Sequence, residues 1–149
     1  MRATNTSVRS DSEERTRALG RSLASLLKPG DVVALEGELG SGKTVLVQGL
    51  AEGLGARDQV HSPTFVLHHR YRGRVPLDHY DLYRLDGTSW LDSGLDEPSA
   101  DSIIVIEWSD RVAPFEEWAS IRLRLDVLSD QERLITVLNG KERIAGWPS

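Results

Sequence analysis

One eight-residue stretch constrains the fold of this chain more than any other. Residues 37–44 read GELGSGKT, which matches the pattern G-x-x-x-x-G-K-T. Glycines let such a loop curl until successive backbone N–H groups point at a phosphate, the lysine adds positive charge, and the threonine hydroxyl can ligate Mg²⁺. The pattern therefore predicts a phosphate-binding loop in which Lys43 meets the β- and γ-phosphates and Thr44 meets the metal.

The sequence on either side of the loop supplies the strand and the helix that it requires. Residues 31–36, DVVALE, are apolar enough for a buried parallel strand. From Val47 to Leu54, apolar residues recur at the i, i+3, i+4, i+7 spacing of one helix face, and Gly55 follows as a stop. The alternative is a glycine-rich turn between a strand and a helix that binds no phosphate.

Composition limits the class of protein. The chain has 149 residues, 39% of them hydrophobic, which predicts one globular domain over residues 1–149. No apolar run approaches the roughly eighteen residues of a membrane span. Cysteine is absent and no apolar leader begins the chain, so we expect a cytoplasmic protein without disulfides or thiolate metal sites. The net charge of −5 argues against a broadly basic nucleic-acid binder.

Helices are predicted at two further places. The polar residues 1–9 are expected to be disordered. Residues 10–13, SDSE, fit a capping box that begins a helix, and residues 28–30, KPG, end it. A short helix is predicted around residues 89–95.

The other segments are predicted to be strands. Residues 65–71 and 75–85 are extended on either side of a turn, which predicts a β-hairpin instead of a helical crossover. Residues 102–108, SIIVIEW, predict a buried strand that ends on an acid, and residues 121–127 alternate between apolar and charged. A last strand at residues 133–138 precedes an Asn-Gly turn, and the tail has no assignment. The predicted fold class is α/β. We expect a single P-loop NTPase domain with three layers, whose central sheet is mixed, with parallel and antiparallel strands.

Four ordered motifs resemble one protein family. They are GELGSGKT at 37–44, SPTF at 62–65, HYDLYRL at 79–85 and IEW at 106–108, and they are similar to the motifs of the bacterial TsaE (YjeE) family over roughly residues 10–140. The resemblance implies an ATP-hydrolysing, Mg²⁺-dependent accessory protein for making N6-threonylcarbamoyladenosine at position 37 of tRNAs. It implies TsaD and TsaB as partners, with tRNA met through their complex and no membrane contact.

Two acids complete the predicted site. Glu107 ends a buried strand, where open α/β sheets place ligand-handling groups, and the resemblance assigns it to Mg²⁺. Asp81 is predicted to position water or to bind the metal, because a buried carboxylate requires a cation or hydrogen-bond donors. The alternatives are a strand-end acid at the surface for Glu107 and a structural hydrogen bond for Asp81. Lys43, Asp81 and Glu107 are thus the candidate catalytic residues, and Thr44 joins the two acids as a candidate metal ligand.

The nucleotide contacts come mainly from the loop. They are predicted to be Glu38, Leu39, Gly40, Ser41, Gly42, Lys43 and Thr44. The resemblance adds Thr16 and Arg133, although a helix surface and a strand edge would explain these two equally well. It also makes Thr64 a candidate switch residue, with a turn-capping hydroxyl as the alternative.

Several other residues carry weaker hypotheses. Trp108 is predicted to stack near the site, to pack in the core or to face a partner. The histidines predict no metal site: His61, His68, His69 and His79. A basic cluster at the hairpin could touch an acidic partner or tRNA phosphate, or be a solvated tip: Arg70, Tyr71, Arg72 and Arg74. Arg84 or Arg111 could serve as an arginine finger.

Three other nucleotide-dependent functions are alternatives to this one. A small-molecule kinase is the first alternative, but no arginine-rich lid insertion is present, and a hairpin follows the loop helix. A GTPase is the second, but neither Asp-x-x-Gly nor Asn-Lys-x-Asp occurs after the loop. The third is a nucleotide-gated binding module whose hydrolysis only resets a complex, and the sequence does not separate it from the accessory ATPase that it favours.

Overall fold

The computed structural model describes residues 6–38, 40–56, 68–81, 101–108 and 119–148, with only the backbone of Asp81 and Trp108. In these ranges the elements are β1 Thr6–Ser10, α1 Glu13–Ala24, β2 Val32–Glu36, α2 Lys43–Gly53, β3 His68–Tyr71, β4 Leu77–Asp81, β5 Ile103–Trp108, β6 Ile121–Val127 and β7 Arg133–Asn139, followed by a 3₁₀ turn, Lys141–Ile144. No helix of this part of the chain is long and apolar enough to cross a membrane. The short helix predicted at residues 89–95 lies outside the described residues.

The seven strands of the described part form one mixed sheet in the order β1-β7-β6-β2-β5-β4-β3. Its centre is parallel, with β2 between β5 and β6 and with β4 beside β5. The β3–β4 hairpin is antiparallel at one edge, and β7 and β1 are antiparallel additions at the other. The predicted mixed sheet and the predicted hairpin are both confirmed.

The central strands bury both of their faces, as their near-continuous apolar sequences require. Val33, Leu35 and Val105 belong to the core that the two helices cover. Ala34 and Ile106 point the other way and are also buried. Both described helices cover the first face, and the described residues contain no helix on the second face.

The two helices approach each other through glycines. A Cβ built on Gly49 would lie closer than 3.0 Å to the Arg17 carbonyl oxygen of α1, and one built on Gly20 would also lie closer than 3.0 Å to the Leu46 carbonyl oxygen of α2. Side chains would hold the two backbones apart, so only glycine permits this contact. The position of α2, which begins at the phosphate-binding loop, therefore depends on α1.

Two predictions about the N-terminal region were wrong. Residues 6–9, expected to be disordered, form β1 with Ser10 and pair with β7, because Val8 packs against the core and the strand satisfies its backbone on β7. The capping box does not begin at Ser10. Ser12 is the N-cap and accepts the Arg15 N–H at 3.0 Å, whereas Ser10 ends the strand and hydrogen-bonds the Thr16 hydroxyl at 2.7 Å.

The C-terminal tail, which the sequence left unassigned, packs on α1. The Trp147 side chain is buried, and its indole Nε1 donates to the Leu19 carbonyl at 3.0 Å and contacts the Ser22 hydroxyl at 3.1 Å. The predicted turn after β7 is present, with Gly140 at a φ of 85° before the 3₁₀ turn. The tail therefore closes over the outer part of the core.

Candidate nucleotide-binding site

The glycine-rich loop joins the carboxyl end of β2 to the first turn of α2. Gly42 precedes the helix at a φ of 102°, in the left-handed region that side chains rarely adopt. Gly37 lies so close to β6 that a Cβ there would be 2.6 Å from the Leu125 carbonyl oxygen. The loop therefore follows a tight path against β6 that its glycines make possible.

The loop and the start of α2 have the properties of an anion site. The N-cap residue Gly42 supplies no side-chain cap, and the first turn of α2 contains no acidic residue. The N–H groups at that end therefore lack the side-chain acceptor that a Ser or Asp would give, and the helix dipole favours negative charge there. Among the described residues, the buried Ser41 hydroxyl has no hydrogen-bond partner. A phosphate fits these donors.

The Lys43 ammonium lies inside the curve of the loop. Its side chain is only 4% exposed, and its Nζ donates to the carbonyl oxygens of Gly37 and Glu38, the second at 3.1 Å. The β- and γ-phosphate oxygens of a nucleotide are stronger acceptors for an ammonium group than backbone carbonyls. The predicted role of Lys43 is therefore consistent with its position.

Thr44 and Glu107 meet although 63 residues separate them in the chain. The Thr44 hydroxyl donates to Glu107 Oε1 at 3.3 Å, and Glu107 is 5% exposed at the end of β5. Mg²⁺ prefers oxygen ligands and commonly takes one or two carboxylates, with phosphates and waters completing its shell. The described residues contain no cluster of three His, Cys, Asp or Glu suited to a metal. This small set of oxygens fits a metal that arrives with a nucleotide.

His79 is a contact of Glu107 that the sequence reasoning missed. Its Nε2 hydrogen-bonds the second carboxylate oxygen, Oε2, and its ring is fully buried. His79 precedes Asp81 by two residues, so the sequence places both on one face of the strand, but the contact with Glu107 depends on how β4 lies beside β5.

The backbone of Asp81 lies directly beside Glu107. The two residues are register partners at the carboxyl ends of the parallel strands β4 and β5. The Asp81 side chain lies outside what the structure describes, so its role stays a prediction.

Thr16 and Arg133 flank the loop. A Cβ built on Gly42 would lie 3.9 Å from both the Thr16 methyl group and the Arg133 Cγ. Arg133 Nη2 donates to the Gly40 carbonyl at 3.1 Å, and its Nη1 donates to the Ser129 carbonyl at 2.7 Å. The loop residue Glu38 is exposed, whereas Leu39 lies outside the described residues. Thr16 and Arg133 thus lie beside the loop, and their contact with the nucleotide stays a prediction.

The family model for threonylcarbamoyl adenosine biosynthesis protein TsaE matches residues 10–135. The chain belongs to the TsaE family. It is 46% identical to the tRNA threonylcarbamoyladenosine biosynthesis protein TsaE of Streptomyces coelicolor, with 87% of this chain and 93% of the relative covered. It is 42% identical to the protein of that name from Treponema pallidum, with 86% and 96% covered.

A solved structure agrees with this membership. The chain is similar to the crystal structure of YdiB from Bacillus subtilis with a TM-score of 0.71 and 31% identity, over 97% of this chain and 91% of that one. The predicted P-loop NTPase fold class is thereby confirmed. Membership of the TsaE family assigns the chain to the biosynthesis of tRNA threonylcarbamoyladenosine.

The hairpin of this TsaE family member exposes Arg70, Arg72 and Arg74, as a solvated tip would, but it buries the aromatic member of the predicted cluster. Tyr71 is fully buried in the core, and the Arg70 guanidinium is held by Asp78 through two hydrogen bonds of 2.9 Å. Arg74 reaches back to the Ala24 carbonyl at 3.4 Å. The strand pattern placed Tyr71 at the hairpin without showing that its face is the one the helices cover.

Asp78 is a buried carboxylate whose charge is stabilised by donors. Burial alone would raise its pKa, but hydrogen bonds from His68, Arg70 and Ser102 outweigh burial and hold the pKa of Asp78 well below its usual range. The carboxylate lies on the sheet face opposite α2. It therefore stabilises the hairpin against the sheet and not the nucleotide site.

Replacing Asp78 with asparagine should make stability depend less on pH. Because folding lowers the pKa of Asp78, its contribution is present above the unfolded pKa of about 3.9 and is lost as the pH falls through and below that value. We expect Asp78→Asn to lower the free energy of unfolding by about 1–2 kcal/mol at pH 7, a value reduced by the partial exposure of His68 and Arg70. Urea unfolding from pH 7 to pH 3 measures it.

The exposed carboxylate of Asp126, paired with Arg124 at 3.1 Å, provides the control for that experiment. Asp126→Asn should change the free energy of unfolding by less than about 1 kcal/mol at every pH. If Asp78→Asn lowers the free energy of unfolding by the same amount from pH 7 to pH 3, the stabilisation assigned to the ionised Asp78 is contradicted.

The remaining predicted residues lie outside the described ranges. They are Thr64 with its SPTF motif, His61, and the two candidate arginine fingers Arg84 and Arg111. The Trp108 side chain is likewise not described. Their assignments stay predictions.

Proposed function

We propose that this TsaE family member binds ATP with Mg²⁺ at the glycine-rich loop and hydrolyses it. The observation that carries the proposal is the contact of the Thr44 hydroxyl with the Glu107 carboxylate, beside a loop whose lysine points inward. The two side chains come from distant parts of the sequence and end at the same edge of the parallel sheet. A strand-end acid at the surface would instead be exposed.

Each residue has one task in this proposal. Lys43 leaves the loop carbonyls and binds the β- and γ-phosphates, while the N–H groups at the start of α2 hold the phosphate chain. Thr44 and Glu107 hold the metal, which when bound neutralises charge that develops on the phosphates. Asp81 positions the attacking water or adds a ligand. Thr16 and Arg133 hold the nucleotide at the sides of the loop.

The proposed hydrolysis serves the tRNA modification and takes place in the cytoplasm. We propose that the protein acts with TsaD and TsaB to form threonylcarbamoyladenosine at position 37, and that it meets tRNA through their complex. Family membership in that pathway supports an accessory role.

One assay separates this function from a metabolite kinase. ATP hydrolysis is measured with and without TsaB and TsaD, and we expect the pair to stimulate it and the Asp81→Ala variant to abolish it. A rate of ATP hydrolysis that is the same with and without TsaB and TsaD, together with phosphate transfer to a metabolite, would instead support the kinase. Depletion of the protein in cells should remove the modification, read by mass spectrometry of tRNA nucleosides.

A further inference from the structure

The carboxylate of Glu107 has a different neighbour at each oxygen. Oε1 accepts the Thr44 hydroxyl, and Oε2 is bonded to Nε2 of His79. His79 lies in β4 on the sheet face that α2 covers, and its side chain is 0% exposed. The histidine therefore holds the carboxylate oxygen that Thr44 does not contact.

The chemistry of the pair fixes which atom donates. A carboxylate only accepts hydrogen bonds, so His79 Nε2 carries a hydrogen and donates it. Nδ1 is then left as an acceptor, and it has no partner among the described residues. A neutral imidazole is sufficient for this contact, so no change of charge on His79 is required.

We propose that His79 is a positioning residue that fixes the Glu107 carboxylate before Mg²⁺ and nucleotide arrive. The proposal rests on the proposed function, because it takes Glu107 as a metal ligand. A glutamate side chain rotates about three bonds, and a carboxylate that is already held loses less freedom when the metal binds. Replacing a residue that orients a metal ligand in this way commonly lowers metal affinity by about 10- to 100-fold.

A purely structural role would be to join β4 to β5. These strands already pair in parallel over five register positions, from Leu77 with Ile103 to Asp81 with Glu107, and Leu77 and Ile103 are fully buried. The side-chain bond is therefore an addition to a complete backbone ladder. Its effect should be greatest on the carboxylate that it touches.

Two amide substitutions at His79 test the proposal on the full-length chain. The amide of His79→Gln reaches about as far as Nε2, whereas the amide of His79→Asn ends near the position of Nδ1. A fluorescent ATP analogue is titrated at increasing Mg²⁺, and its affinity is also measured in EDTA. The measured quantity is the Mg²⁺ midpoint, the Mg²⁺ concentration that gives half of the maximal effect on the affinity for the analogue. We expect His79→Asn to raise this midpoint by about 10- to 100-fold and His79→Gln to raise it by less than about threefold. The affinity in EDTA should be equal in all three proteins.

His68 offers a matched control in the same hairpin. Its Nε2 also bonds a carboxylate, that of Asp78 at 2.8 Å, but on the opposite face of the sheet from Thr44. His68→Asn should leave the Mg²⁺ midpoint unchanged. Thermal unfolding without Mg²⁺ reports any loss of stability separately, and His79→Leu, which suits a buried position, replaces His79→Asn if that variant does not fold.

The outcomes separate this inference from the function on which it rests. If wild-type binding responds to Mg²⁺ and His79→Asn responds at the same concentration, the positioning role is overturned and the proposed metal site stands. A midpoint raised equally in His79→Gln and His79→Asn would also overturn it, because the donor would then be irrelevant. If the affinity of the wild-type protein for the ATP analogue does not depend on Mg²⁺, both proposals are overturned.

Discussion

Replacing Lys43 with alanine is expected to lower ATP turnover about 100- to 1,000-fold when TsaB and TsaD are present, because a single preorganised donor to developing charge contributes about that much. The ammonium is the one cationic side chain that the described structure places within the curve of the loop. Its removal takes away the positive charge nearest to the loop carbonyls of Gly37 and Glu38, where the phosphates are proposed to bind. Steady-state release of phosphate measures the effect.

The sequence provides matched controls for this experiment, since it contains only two other lysines, Lys28 and Lys141. Both are exposed and lie in turns away from the loop. Lys28→Ala and Lys141→Ala should retain turnover within about twofold, because exposed charges far from a site are largely screened. A Lys43→Ala protein that is folded and turns over ATP at a comparable rate would show that the loop is not the site of hydrolysis.

Replacing Gly49 with alanine should lower the free energy of unfolding by about 2–3 kcal/mol, the effect of overpacking a close contact. In an exposed helix the same change would stabilise by about 0.5–1 kcal/mol, because alanine favours helix more than glycine does. Here the new methyl group would collide with the Arg17 carbonyl of α1, which belongs to the backbone and cannot rotate away. The steric effect therefore reverses the sign that helix propensity alone predicts.

The same substitution should also weaken nucleotide binding. If α2 shifts away from α1, Lys43 and Thr44 at its first turn shift with it. Urea unfolding and binding of a fluorescent nucleotide measure the two effects. Glu52→Ala in the same helix removes only exposed ion pairs with Arg17 and Arg21 and should change stability by less than about 1 kcal/mol. A stabilising effect of Gly49→Ala would mean that the two helices are farther apart than described.

The local elements could be predicted because their patterns depend on neighbours in sequence. The strand before residue 37, the helix after residue 42 and the hairpin each have a period or a turn that identifies them. The first strand could not be predicted, since Thr6–Ser10 is polar and is stabilised by its pairing with β7. The contact of Gly20 with Gly49 likewise depends on two backbones that meet only in the fold.

The candidate site also combines features that depend on neighbours in sequence with contacts that form only in the fold. Its loop residues are contiguous and could be read directly, and Glu107 was identifiable because it ends a strongly apolar strand. The bond from His79 to Glu107 depends on the register of β4 beside β5, and no feature of a single sequence gives that register. The anchoring of Trp147 on α1 is long-range as well, which explains why the tail had no prediction.

The inward position of Lys43 makes nucleotide binding an exchange reaction. The ammonium has already left bulk water, so the free energy of its dehydration is part of folding and does not oppose binding. Against that, an arriving phosphate must displace the carbonyls of Gly37 and Glu38 as acceptors. Under the proposed function, the net affinity for nucleotide is then the difference between two sets of hydrogen bonds to the same nitrogen.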